Sequence, residues 1–227
     1  MLKATQLGFS FRSRHLFRNV SFTVRPGQLL HLRGPNGAGK TTLMAVLAGL
    51  LAPVHGSVDY VIEPDGKRTT EAEGVPDPKR WIEYLPAEAN GHFLRMDALT
   101  NIRFWGKLRG HTIPEDQLTV TLRAWDLDHK WLRFGFPVEK FSTGMKRRLA
   151  LARLSLSEAP CFLLDEPLYG LDDAAIKMFQ TMLRAHLNRG GLGVIISHDT
   201  VPIRDLVTEV LAIGSVAASQ QHAPVSS

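Results

Sequence analysis

Gly34-Pro35-Asn36-Gly37-Ala38-Gly39-Lys40-Thr41 follows the apolar run at 29–32 and opens a segment, 42–51, whose apolar residues have helical spacing. A strand, a glycine-rich loop and a helix in that order make a phosphate cradle. The glycines let successive backbone N–H groups turn inward, and the helix amino terminus adds a dipole that favours anions. Lys40 is expected to reach the β- and γ-phosphates of a nucleotide, and Thr41 to offer its hydroxyl to Mg²⁺. Asn36, Gly37, Ala38, Gly39 and Thr42 complete the expected phosphate-binding set. A glycine-rich turn that matched by chance would lack these strand and helix flanks.

Outward from the loop, apolar or alternating stretches at 20–24, 28–33, 58–62, 81–85, 161–165, 193–197 and 209–213 predict strands. Helical spacing marks 40–51, 97–108, 115–125, 142–157, 173–188 and 201–207. Strands that alternate with helices late in the chain predict an α/β fold of the P-loop NTPase kind, a mostly parallel sheet covered by helices. Strands that follow one another early predict an antiparallel portion. One domain over 1–214 is expected, with a mainly helical subdomain at about 90–157 inserted between sheet strands. The polar stretch 63–80, punctuated by Pro64, Pro76, Pro78, Gly66 and Gly74, reads as an exposed excursion. The stretch 215–227, rich in Ser, Ala, Gln and Pro, reads as a disordered tail because it has too little apolar content to pack.

At 227 residues and 44% hydrophobic content the chain can bury a substantial core. Its longest nearly unbroken apolar run, 43–54, falls short of the roughly 20 residues that cross a bilayer, and the amino terminus carries no signal-peptide pattern, so a cytosolic protein is expected. A single cysteine, Cys161, excludes an internal disulfide framework and a cysteine-based metal site, and reads as core filler. The net charge of +5 would suit nucleic acid, anionic lipid or nucleotide phosphates alike. No dense basic tract with interleaved aromatics is present, so nucleic-acid binding is not expected. Lys146, Arg147 and Arg148 fall within a helical pattern and read as a solvated face.

A second constellation lies at 161–166, where the apolar Cys161-Phe162-Leu163-Leu164 ends in Asp165-Glu166. Ligand chemistry in α/β sheets gathers at the carboxyl ends of strands. Asp165 is the expected Mg²⁺ ligand, and Glu166 the candidate to orient or deprotonate an attacking water. The competing reading is a helix-capping acidic pair before Pro167. Ahead of that pair stands Phe141-Ser142-Thr143-Gly144-Met145-Lys146-Arg147-Arg148-Leu149, leading into an apolar helical pattern. Ser142 would cap that helix, and Gly144 would let backbone approach a phosphate.

This last stretch resembles the signature motif of ABC ATPases, and the resemblance runs over 2–213 with its motifs in the family's order. It implies ATP and Mg²⁺ as ligands. It implies that Phe11 stacks on adenine, unless a neighbouring phenylalanine does, that Leu171-Asp172 communicates across a dimer, and that His198 contacts the γ-phosphate. After the strand at 82–85 the family usually has a glutamine near Mg²⁺ and the attacking water. This chain reads Pro86-Ala87-Glu88, which leaves Ala87 or Glu88 at that position; Glu88 is favoured, as a catalytic and metal-binding group. The family's signature closes over the nucleotide of a second subunit, which implies a homodimer or heterodimer on separate transmembrane permease subunits, at the inner face of the cytoplasmic membrane. His92, Phe93, Leu94 and Met96 read either as an apolar contact surface for such a partner or as internal core. The opening segment Leu16-Phe17-Arg18-Asn19-Val20-Ser21-Phe22-Thr23-Val24 is similar to haem-exporter (cytochrome c maturation) subunits, and Ser142-Thr143-Gly144-Met145 to ABC-2 exporters. A soluble or regulatory ABC ATPase of a non-transport complex is the alternative.

Overall fold

The chain begins as an antiparallel hairpin. The computed structural model describes residues 1–12, 14–61, 81–88, 91–129 and 135–214; the expected excursion at 63–80 and tail at 215–227 lie outside them. Leu2–Phe11 (β1) pairs with Arg14–Val24 (β2) on one side and with His55–Tyr60 (β4) on the other, giving a three-stranded antiparallel sheet. The sequence pattern does not predict β1. Gln6 takes a left-handed conformation (φ 49°), and its N–H donates to Ser21 Oγ at 2.8 Å. That bulge shifts the register, so Leu2, Ala4 and Leu7 are all buried and strict alternation is lost.

The second sheet is five-stranded and parallel, in the order Ile82–Leu85 (β5), Cys161–Asp165 (β6), Leu192–Ile196 (β7), Leu29–Arg33 (β3) and Glu209–Ala212 (β8). Its strands are apolar on both faces because both are covered. Cys161 and Leu163 of β6 face a core shared with β1, β2 and the helix Lys40–Leu47 (α1). Phe162 and Leu164 face a second core built from Ala98–Leu108 (α2), Glu115–Ala124 (α3), Thr143–Ser155 (α4) and Asp173–Asn188 (α5). Asp97, Ser142 and Asp172 cap α2, α4 and α5 by accepting from the N–H groups of Thr100, Met145 and Ala175. The segment 201–206, expected as helix, is instead a series of turns. The bonds of Ile203, Arg204 and Leu206 reach back three residues, while that of Val207 reaches back four.

Buried charge ties the helices to the sheet. Glu83 of β5 lies 2.8 Å from Arg109, just past α2, and 3.5 Å from Arg153 of α4. Asn101 of α2 is buried and accepts from the Phe93 N–H while donating to the carbonyls of Phe93, Met96 and Asp97. It thereby folds 93–97 around the start of its own helix.

His186 of α5 stacks on Phe162 with ring centroids 3.6 Å apart, and its Nε2–H donates to the Leu192 carbonyl at 3.1 Å. Burial lowers its pKa from 6.5 to about 4, outweighing that hydrogen bond. The unfolded chain therefore takes up this proton near pH 6.5 while the folded chain resists until about 4. The contribution to stability is complete above the upper value and is lost as pH falls towards the lower one. Urea unfolding followed from pH 7 to 4.5 should show a declining midpoint, and His186→Gln, which keeps a donor for Leu192 but cannot titrate, should flatten that decline.

Candidate functional site

At the carboxyl end of β3 the chain turns through Gly34–Gly39 into α1. Gly39 is left-handed (φ 88°), and a Cβ there would lie 3.1 Å from both Leu16 and the Phe17 ring. At Gly34 a Cβ would lie 2.3 Å from the Ile213 carbonyl oxygen. Both positions need glycine, the first for its backbone conformation and the second for its close contact. No side chain caps α1 at Gly39, so its leading N–H groups face the loop's concavity. Lys40 folds back over the loop, donating from Nζ to the carbonyls of Gly34 (2.8 Å) and Pro35 (3.0 Å).

The cleft above this loop encloses about 350 Å³ and is lined by Leu16, Asn36, Gly37, Gly39, Lys40, Thr41, Thr42, Ala87, Asp165, Glu166, Ile196 and His198. The two distant sequence constellations thus meet in one place. Ala38 is buried in the core beneath the loop. Asp165 is buried, and its Oδ2 has no hydrogen-bond partner. Burial pushes its carboxyl up from the ordinary range; the Thr41 hydroxyl bonded to it, Lys40, Arg147 and His198 all favour its charge. An orphaned carboxylate oxygen beside a threonine hydroxyl, facing a phosphate-sized space, fits Mg²⁺, which takes few protein ligands and completes its shell with water and phosphate. Among the described residues no cluster of three His, Cys, Asp or Glu side chains stands ready for a metal, and such a bridging ion does not require one.

Glu166 is also left-handed (φ 47°), with its N–H bonded to the Ile196 carbonyl at 2.9 Å. That conformation aims its carboxylate into the cleft, where Oε2 accepts the His198 N–H at 3.2 Å and Oε1 lies 3.5 Å from His198 Nε2. Glu88 is exposed and does not line the cleft, whereas Ala87 does. The structure thus places Ala87, not the favoured Glu88, on the cleft wall. Arg147 binds the carbonyls of Pro86 and Ala87 and turns the chain so that position 87 faces the cleft.

Phe11 stands outside the cleft at the end of β1. It is 63% exposed, under the Arg12 guanidinium at 5.7 Å, while Phe17 is buried, so Phe11 is the ring of this hairpin left open to a ligand. Ser142 and Gly144 also lie outside it, at the start of α4. A Cβ at Gly144 would lie 3.1 Å from the Gly170 carbonyl, so the start of α4 packs against the loop before α5. Arg148 joins the same two elements, bonding Asp126 at 2.7 Å and also Asp172. The Ala175 N–H, and then Arg148, hold the Asp172 carboxyl below its usual range. The basic run at 146–148 is thus no solvated face. Arg147 is buried, and Arg148 bridges two acids. Phe93 and Leu94 are exposed, while His92 donates to the Lys146 carbonyl and Phe93 packs edge-on against Phe104.

The sequence profile described as "ABC transporter" matches residues 17–169. The chain belongs to the ABC transporter family. The cytochrome c biogenesis ATP-binding export protein CcmA 2 of Cupriavidus metallidurans is 34% identical over 210 residues, covering 92% of this chain and 95% of that protein. The corresponding CcmA of Paracoccus denitrificans is 37% identical over 202 residues, covering 88% and 83%. Among solved structures, an ATP-binding subunit of an ABC transporter superposes with TM-score 0.76 at 23% identity, covering 94% of this chain and 85% of that one. A dimeric bacterial ABC transporter cassette superposes with TM-score 0.76 at 18% identity, covering 95% of each. The fold is that of ABC cassettes, and the chain is an ATP-binding, ATP-hydrolysing member of the family.

If Lys40 is the phosphate-binding lysine expected from the sequence, it would exchange its two loop carbonyls for phosphate oxygens when ATP arrives. Lys40→Ala should raise the dissociation constant for ATP roughly ten- to a hundred-fold, the equivalent of about 1.5–3 kcal/mol for charge-assisted bonds. Equilibrium binding of a fluorescent ATP analogue would measure it. Asp165→Asn should instead spare metal-free nucleotide binding and abolish its strengthening by Mg²⁺ in the same assay.

Proposed function

We propose that this chain drives export across a membrane as one of a pair of ATPase subunits, each completing the other's active site. The observation that carries the proposal is the division of the site. Loop, acidic pair and His198 share one cleft, while Ser142 and Gly144, at a helix start that would suit a second phosphate contact, lie outside it in the same chain. A second subunit that placed its own α4 over this cleft would supply the missing wall. Its helix amino terminus would meet the γ-phosphate from the opposite side.

ATP would lie with its phosphates along Gly37–Thr42 and its adenine against the exposed ring of Phe11. Mg²⁺ held by Thr41 and Asp165 would neutralise phosphate charge. Glu166 holds the attacking water and takes its proton as the water oxygen bonds to the γ-phosphorus. The bond to the β,γ-bridging oxygen breaks, ADP and phosphate result, and the bridge between subunits is lost. His198, already against Glu166, orients it and contacts the γ-phosphate. The helical insertion at 90–157 would carry the movement to separate permease subunits at the cytoplasmic membrane surface, with Phe93 and Leu94 exposed for that contact. The CcmA relatives support a role in cytochrome c biogenesis.

Glu166→Gln should retain ATP, lose turnover by about a thousand-fold or more, and accumulate as a nucleotide-dependent dimer in size-exclusion chromatography with light scattering. A variant that hydrolysed at the wild-type rate would remove Glu166 from its role. Affinity purification from gently solubilised membranes should recover a polytopic membrane protein. Recovery of only soluble partners would overturn the transport role and leave the ATPase chemistry standing.

A further inference from the structure

Beyond its apolar packing, α4 is joined by side-chain hydrogen bonds to residues 86, 87, 91 and 92, which lie between β5 and α2. Arg147 is 2% exposed, and its two terminal nitrogens donate to successive carbonyls, Pro86 at 3.1 Å and Ala87. Farther along α4, Arg153 donates to the Gly91 carbonyl at 3.3 Å and lies over the Trp105 ring at 4.5 Å, while Trp105 Nε1–H donates to the same carbonyl at 2.9 Å. In the reverse direction His92 Nε2–H donates to the Lys146 carbonyl at 2.8 Å. The same helix begins with Ser142 and Gly144, and Ala87 forms part of the cleft wall.

We propose that Arg147 is a positioning residue for ATP hydrolysis, fastening the Pro86–Ala87 turn to α4 so that the cleft wall and the helix end bearing Ser142 move as one piece. Arg153 and Trp105 supply the second fastening at Gly91. The inference rests on the ATPase reading of the cleft. Arginine suits the task because its planar fork addresses two carbonyls at fixed spacing, which a lysine ammonium cannot reproduce. When α4 of one subunit engages the nucleotide of another, this fastening carries its displacement to the cleft of its own chain. The two sites of a pair would then be linked through buried side chains as well as through the shared nucleotide.

The test compares Arg147→Met and Arg147→Lys in the full chain, with steady-state ATPase assays, equilibrium ATP binding, and amide hydrogen exchange over 87–88 and 143–147. The Met variant should lose kcat about tenfold or more while ATP affinity stays within about twofold, and Lys, which keeps the charge but not the fork, should recover only a minor part. In the Lys variant the amides of Ala87 and Glu88 should exchange faster while those of α1 stay at the wild-type rate. Should Met prevent folding, the Lys variant decides alone. Wild-type kcat and wild-type exchange in the Lys variant would overturn the proposal, as would a parallel loss of affinity and turnover, which marks general structural damage. A folded wild-type chain that hydrolysed no ATP would overturn the ATPase reading and this role with it, whereas an active wild type with indifferent variants would overturn the role alone.

Discussion

β6 is packed on both faces, with Cys161 and Leu163 against one core and Phe162 and Leu164 against the other. A strand buried on both sides and flanked by β5 and β7 can release polar side chains only beyond its ends. The first acidic residue, Asp165, is therefore still buried, and Glu166 must leave the sheet at once, which its left-handed backbone accomplishes. The parallel register with β7 then sets His198 beside Glu166, since Asp165 pairs with Ile196. The placement of Asp165, Glu166 and His198, the proposed metal ligand, base and phosphate contact, follows from how this one strand is packed.

Charge buried away from the cleft has a related purpose. Glu83, Arg109 and Arg153 satisfy one another between β5, the end of α2 and α4, and losing one partner of such a buried group costs about 3–5 kcal/mol. Apolar packing alone would let the helices slide over the sheet. Directional bonds from Arg147, Arg153 and Asn101 fix their register instead.

The phosphate cradle was legible in the sequence because it is local. Its glycines, lysine and threonine lie within one turn, and its flanking strand and helix carry their own periodicities. Asp165, Glu166, His198, Ser142 and Gly144 were nameable from motif order, yet motif order says nothing of which of them share a cleft. β1 was not legible, because the bulge at Gln6 interrupts alternation, and neither were the turns at 201–206, where apolar spacing imitates a helix but the bonds of Ile203, Arg204 and Leu206 reach back three residues.

The sequence by itself determined the α/β class, the strand–loop–helix cradle and the adjacent acids at the end of β6, since each depends on contacts within a few residues. Only the tertiary structure decided that Ala87 rather than Glu88 lines the cleft, that Phe11 rather than Phe17 is the open aromatic ring, that Arg147 is buried and that Arg148 bridges two acids. Each of those outcomes depends on where distant backbone carbonyls and carboxylates come to lie, and a helical pattern of basic residues looks the same whether its partners are water or the buried turn of another element.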